Sequence, residues 1–411
     1  MTTNIDTEQL YKDNLLGNYG LPPISFVRGR GVHLWDDQGN QYLDFCSGLA
    51  VTTLGHCHPS LTTAIQKQAD TLLHVSNLYR NEKQALLAKK LNDKAGGNGK
   101  VFFCNSGAEA NEGLLKLSRL YGQRKAGAEG KCIKVVCAEK AFHGRTFGGM
   151  SATPKPKVQN GFHPLVPGFV FAELNNLESF ANAVDDETSA VFVETIQGEG
   201  GIHPCEVEFL QGLRTLCDEK GILLLLDEVQ CGIARTGAFF AFEHAGVKPD
   251  AIGMAKGLGS GVPVGAIWIH DEFADLFTPG THATTFGGTP LICAAALATL
   301  ETIEKENIIE NVKLNGEYLI NALDSLQNEM PESIVEVRGR GYLVGIQISG
   351  DNLALVKACR DKGLIVPPAE GNVVRFLPPL IATKTEIDAA IAIFKECLQE
   401  QMAQMKAEAT A

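Results

Sequence analysis

The middle of the chain alternates short apolar runs with longer stretches whose apolar residues recur at helical spacing. "KVFFCN", "CIKVVCAE", "SAVFVETI", "ILLLLDE", "DAIGMAK" and "VGAIWI" are mostly continuous in apolar character, while "SGAEANEGLLKLSRLYG" and "EVEFLQGLRTLCDEKG" carry the helical period. Strands apolar on both faces and separated by helices predict parallel βαβ units in a sheet covered on both sides. The expected fold class is α/β, with one large, mostly parallel-sheet unit.

Beyond residue 300 the texture changes. Long helical patterns, "ATLETIEKENIIENVKLNGEYLINALDSLQ" and "TKTEIDAAIAIFKECLQEQMAQ", frame short strands in "IVEVRGRGYLVGIQI" and "VVRFLPP". Near the other end, "SFVRGRGVHLWDDQGNQYLDF" predicts two strands around a turn at 36–40. The two ends are expected to pack together as a smaller α+β unit. Residues 1–58 form its N-terminal segment, 59–300 the large unit and 301–411 the small C-terminal unit.

Composition narrows the function more than the fold. At 411 residues the chain is too long for one ordinary core, so two or three domains are expected. A net charge of -12 argues against nucleic acid or an anionic membrane as partner, since both need clustered Lys and Arg, and favours small molecules. The eleven cysteines include no C-x-x-C and many sit in apolar runs, the pattern of reduced thiols in a cytoplasmic protein. The start, "MTTNIDTEQLYKDN", lacks the apolar core of a secretory signal, and no apolar run approaches the roughly 18 residues that a membrane span needs.

Three positions carry candidate chemistry. In "VFFCNSGAEANE", Ser106 followed by Glu109 is a capping-box pattern, so a helix begins at Ser106 with small residues at its N-terminus. Its free N–H groups suit a phosphate, or it is simply a capped helix with no ligand. In "ILLLLDEVQ", Asp227 ends an apolar strand at the edge where parallel sheets bind ligands. A carboxylate there needs a cation, either Arg235 within the fold or a ligand. In "DAIGMAKGLGSG", Lys256 follows an apolar run and precedes small residues, so its amine has room and is desolvated, hence nucleophilic toward aldehydes. A phosphate cradle, a carboxylate for a pyridinium and a sequestered lysine together fit pyridoxal 5'-phosphate.

In "FVRGRGVHLWDDQGNQYLDF", "GHCHP", "HVSNLYRNE", "FFCNSGAEANE", "AFHGRT", "IQGEGG", "LLLLDEVQCGIARTG", "AKGLG", "HATTFGGTPL" and "VVRFLPPL", in this order, the chain resembles class III, fold-type I pyridoxal-phosphate aminotransferases from about residue 19 to 387. The resemblance implies that Ser106, Gly107 and Ala108 hold the cofactor phosphate, with Thr285 reaching it from the neighbouring subunit of a homodimer with shared active sites. Phe142 would stack on the pyridine ring, Val229 would pack on its other face and Gln230 would approach the ring hydroxyl. Asp227 would face the ring nitrogen and Lys256 the aldehyde. Arg145 would grip the α-carboxylate of the amino donor and Arg375 that of glutamate. Glu199 would pair with Arg375 until glutamate binds. Tyr19 and Asn77 match positions at the substrate end. The implied reaction moves the terminal amine of N-acetylornithine to 2-oxoglutarate. Succinylornithine, ornithine or 4-aminobutyrate as donor, or an aminomutase reaction, are the alternatives.

Several positions depart from the family pattern: Thr195 stands where proline is common, Ala234 and Ser260 where glycine is, and Thr289 where asparagine is. His56, Cys57 and His58 in "GHCHP" lie too close together to complete a metal site without distant partners, so no metal is expected. The two "RGRG" stretches are expected to be strand edges and turns rather than a nucleic-acid patch.

Overall fold

The protein, as a computed structural model, is described over residues 6–410; residues 1–5 and 411, the outer edges of the expected terminal segments, lie outside the described residues. Near the start, β1 (Phe26–Arg30), β2 (His33–Asp36) and β3 (Gln41–Asp44) form an antiparallel ladder. Two strands were expected here; the chain makes three because Gly31, at φ +57, breaks the first run.

The large unit contributes β4 (Gly99–Cys104), β5 (Lys134–Ala138), β6 (Phe169–Ala172), β7 (Thr188–Glu194), the small hairpin β8 (Ile196–Gln197) and β9 (His203–Pro204), then β10 (Leu223–Asp227), β11 (Ala251–Met254) and β12 (Gly265–His270). A seven-stranded sheet runs in the order β4-β12-β11-β10-β7-β5-β6. Its strands are parallel except β12, which is antiparallel to both β11 and β4. The segment 255–264 is too short for the helical crossover that a parallel return needs, so the chain turns straight back. At the centre, every residue of β10 is buried, with Leu223 to Leu226 at 1% exposure or less, and each such leucine contributes about 1.5–3 kcal/mol.

The C-terminal unit adds β13 (Ile334–Arg340), β14 (Leu343–Ile348), β15 (Leu364–Ile365), β16 (Pro368–Ala369) and β17 (Val373–Phe376). Four of these form an antiparallel sheet, β13-β14-β17-β16, while β15 joins β3 in parallel through Leu364 to Leu43 and Ile365 to Asp44. Both ends of the chain thus share one sheet, sealed where the rings of Phe45 and Phe376 meet edge to face at 5.6 Å.

Two helices differ in detail from the pattern. Ser106 caps helix Gly107–Ala126 by accepting from Glu109 N at 3.2 Å, but the Glu109 carboxylate turns to Asn105 N and the Asn105 side-chain amide instead of Ser106 N, so only half of a capping box forms. The long helical pattern after residue 298 is split into Pro290–Lys305 and Ile308–Glu329 at Asn307, which sits at φ +51.

Gly316 in the second of these helices lies against the turn after β13: a Cβ there would come 2.6 Å from Gly341 Cα. Gly to Ala in an open helix gains about 1 kcal/mol, yet here overpacking against rigid backbone reverses the sign. G316A should lower the urea midpoint, with a loss of about 1–3 kcal/mol. A raised midpoint would show that the helix simply moves aside.

Candidate active site

A cavity of about 240 Å³ opens at the carboxyl ends of β7, β10 and β11, where parallel sheets place their ligands. Asp227, the last residue of β10, forms its floor and is 3% exposed. Oδ2 accepts from Asn111 Nδ2 at 2.7 Å and from His143 Nδ1 at 2.9 Å, and Oδ1 accepts from Val229 N at 3.0 Å. Arg235 does not pair with it; that buried guanidinium donates to the carbonyls of Tyr342 and Pro378. His143 is wholly buried and stacks on Phe192 at 3.9 Å. Burial opposes its protonation, but the hydrogen bond to Asp227 and that residue's charge outweigh it and push the imidazole up to about 10. Neither Asn111 nor His143 was singled out in the sequence. A signal existed for Asn111: an amide on the apolar side of a helix, near Leu114, has to find a buried partner.

Helix Gly107–Ala126 aims its N-terminus at the same cavity. Gly107 and Ala108 line it, while Ser106 is the cap behind them. A side chain at Gly107 would place its Cβ 2.6 Å from Val229 Cγ1, so glycine lets the turn after β10 approach the helix end. The start of that helix carries free N–H groups and a positive dipole end, which suits an anion.

Lys256 enters from the loop after β11 at a strained φ of +37. Burial lowers its amine below the ordinary value, Glu199 pulling the other way. The loop is tied down on its far side: Thr53 Oγ1 donates to Gly257 O at 3.0 Å and Leu54 N to Ser260 Oγ at 3.0 Å. Ser260, one of the departures, thus replaces glycine at φ +47 and gains a hydrogen bond.

Phe142 and Arg145 line another wall, with the guanidinium 5.8 Å above the Phe142 ring. Phe142 N donates to Glu194 Oε2 at 3.0 Å, and Gly198 N donates to the other oxygen at 3.1 Å. Glu194, at the end of β7, therefore ties these two segments together; burial pushes its carboxyl up to about 7. Beyond Gly198, Glu199 meets Arg375 of β17 in a two-pronged ion pair, Nη1 to Oε1 at 2.5 Å and Nη2 to Oε2 at 3.2 Å. Burial works against the Glu199 charge, but the Arg375 guanidinium wins and holds its carboxyl below the usual value. Val229 and Gln230 complete the lining, and buried Gln230 Oε1 lacks a partner among the described residues.

These features fit pyridoxal phosphate: a buried carboxylate with no fold arginine or lysine for the ring nitrogen, a helix end for the phosphate, an orphaned amide oxygen and a desolvated lysine. Five expected residues do not line the cavity of their own chain: Ser106 caps the helix behind it, Arg375 stands behind Glu199, and Thr285, Tyr19 and Asn77 lie apart from it. Thr285 is exposed in a loop, Tyr19 is 92% exposed in the turn Gly17–Tyr19, and Asn77 donates to Gly287 O at 3.0 Å and Thr284 O at 3.4 Å, bracing the loop that carries Thr285. His56 bonds Asp44 at 2.7 Å and His58 lies 3.5 Å from Glu306. Of the remaining departures, Thr195 donates to buried Glu228 at 2.6 Å, Ala234 takes φ +68, and Thr289 caps helix Pro290–Lys305 with backbone alone.

The family model described as aminotransferase class-III matches residues 17–398. The chain is 48% identical over 390 residues to the acetylornithine aminotransferase of Caldanaerobacter subterraneus, covering 95% of this chain and 98% of that protein. Among solved structures it superimposes on the ornithine aminotransferase of Toxoplasma gondii, crystallised with partial occupancy of PLP at its active site, with a TM-score of 0.93, 30% identity and coverage of 99% and 97%. It also matches the acetylornithine aminotransferase of Elizabethkingia anophelis at a TM-score of 0.84 and 31% identity, covering 95% and 98%.

A pH test follows from His143. Its folded value of about 10 lies above the ordinary 6.5, so the folded state binds the extra proton and gains stability that is complete below pH 6.5 and lost as pH rises through 10. H143N, neutral throughout, should be less stable than wild type at pH 6, with the gap closing by pH 10 in urea titrations. A gap independent of pH would mean that the Asp227 pair is uncharged.

Proposed function

The chain belongs to the class-III aminotransferase family, and from that premise we propose that it moves the terminal amino group of N-acetylornithine to 2-oxoglutarate, giving N-acetylglutamate 5-semialdehyde and glutamate. It is a fold-type I, pyridoxal-phosphate-dependent enzyme. Bound pyridoxal phosphate supplies an aldehyde that condenses with amines and a ring that draws electrons from the neighbouring C–H bond. Asp227, held on both oxygens, keeps a proton on the ring nitrogen. Lys256, stripped of water, carries the proton away from the amine-bearing carbon. Phe142 and Val229 would flank the ring, and Gln230 would present its amide to the ring hydroxyl. Gly107 and Ala108, behind the Ser106 cap, hold the phosphate.

One observation carries the two-substrate reading: Arg375 is already neutralised by Glu199, while among the described residues no carboxylate pairs with Arg145. A donor with its carboxylate far from the reacting amine binds at Arg145 and leaves the pair closed. Glutamate carries its carboxylate beside the reacting amine and needs Arg375 open. An aminomutase would have no use for such a gate. We assign Tyr19 and Asn77 to the substrate entrance.

We further infer a cytosolic homodimer in which Thr285 enters the partner's cavity. Exposure of Thr285 and of Leu78, Tyr79 and Phe286, chain neighbours of residues that line a groove of about 720 Å³ formed by residues of 77–88, 101–103 and 282–284, supports the dimer. All eleven cysteines are unpaired, which supports a reducing compartment. Among the described residues no helix is long and apolar enough to cross a membrane.

The direct test is to follow the cofactor absorbance of the purified enzyme while N-acetylornithine, N-succinylornithine, ornithine and 4-aminobutyrate are added separately, then 2-oxoglutarate. The fastest change with N-acetylornithine, reversed by 2-oxoglutarate, is expected; a faster response to another amine would rename the donor. K256A should lose turnover by on the order of 10³-fold or more. R375A should weaken glutamate by about 10²-fold, as expected for hydrogen bonds between charged groups, and leave N-acetylornithine nearly untouched. Equal losses for both substrates would refute the gate.

A further inference from the structure

The gate can open in two ways, by moving the turn that carries Glu199 or by rotating its side chain. The backbone of that turn is fastened on both sides of Glu199. Gly198 N is held by Glu194 at 3.1 Å, and the Gly201 and Ile202 carbonyls both accept from Arg338 Nε, at 2.9 and 3.0 Å. Gln197 Nε2 donates to Glu139 O at 2.6 Å, and the turn closes the β8–β9 ladder. Space is also closed: a Cβ at Gly200 would lie 2.7 Å from Lys140 O, and one at Gly201 2.9 Å from Glu370 O. The gate is therefore a rotor on a fixed turn.

A carboxylate leaving Arg375 in a part-buried site needs another cation, because a bare charge there is costly. Lys256 would be a harmful choice, since pairing would pin the proton carrier. On the other side stands Lys155, whose Nζ donates to the Glu199 backbone carbonyl at 3.1 Å and pairs with Glu370 Oε2 at 2.9 Å. Its side chain is 15% exposed while that of Glu370 is 52% exposed, so the ammonium is fixed and its present carboxylate is loose. An ammonium bonded to the Glu199 carbonyl stands beside the residue whose side chain turns, so rotation about the χ angles of Glu199 is the motion that would bring the two charges together.

We propose that Lys155 is a positioning residue that receives the Glu199 carboxylate when the gate opens, exchanging the surface partner Glu370 for it. This rests on the two-carboxylate gate proposed above. Lys155 then favours the substrate that needs Arg375 free and is silent for the one that does not.

The test compares the two half-reactions of the holoenzyme, with N-acetylornithine and with glutamate, in wild type, K155M, K155Q, K155R, E370Q and E199Q. K155M and K155Q should raise the apparent KM for glutamate about tenfold, the loss of one charge-assisted partner, and change the N-acetylornithine half by less than about twofold. K155R should restore glutamate. E370Q should act with the opposite sign, lowering the glutamate KM, because Lys155 loses its competing partner; a merely structural lysine would give no such reversal. Parallel losses in both half-reactions, or no change in either, would overturn the role of Lys155 while E199Q still shifted their ratio. If E199Q left the ratio unchanged, the gate itself would fall, and Lys155 with it.

Discussion

A carboxylate at the end of a strand buried along its whole length is the constraint around which the molecule is organised. Asp227 closes a run of leucines covered on both faces, where an unsatisfied charge would cost several kcal/mol. The fold meets that cost with three donors from three places: Asn111 from a helix, His143 from the loop after β5, and the peptide of Val229. Fixing those donors fixes the helix end, the Phe142 segment and the turn after β10 relative to one another. The walls of the cavity are thereby set by the same contacts that make its floor affordable.

Around that floor the acidic groups divide by what holds them. Burial pushes Glu194 and Glu228 up to about 7 against the pull of the backbone N–H groups and the hydroxyl that donate to them, and those bonds make both residues struts between segments. Glu199 faces a guanidinium instead and is held below its usual value. A strut bonded to peptides cannot leave without orphaning them, whereas an ion pair at the cavity edge can exchange one cation for another. Glu199 thus stands apart in the site as the acid held by a guanidinium rather than by peptides.

Much of this was legible along the chain. The apolar runs marked six of the seven strands of the large sheet, all but the edge strand β6, because burial on both faces leaves no polar positions, and Ser106 marked its helix through the chemistry of capping. Asp227 and Lys256 stood out because a charge after an apolar run, or a lysine before small residues, violates the local pattern. The reversal of β12, the third N-terminal strand and the misdirected Glu109 were not legible. Each depends on a local geometric choice, a short loop, a glycine at positive φ or a nearer amide, among options that the residue types leave open.

The sequence by itself determined which runs had to be buried, that a strand ends at Asp227 and a helix begins after Ser106, and which side chains carry reactive groups, because these follow from neighbours a few positions away. Only the tertiary structure decided who answers them. Asn111 and His143 reach Asp227 across 116 and 84 residues, and Arg375 reaches Glu199 across 176. Lys155 comes to Glu199 across 44 residues. Partners so far apart leave no periodic trace, since a hydrogen bond is fixed by the place where two chain segments meet and not by the spacing between them.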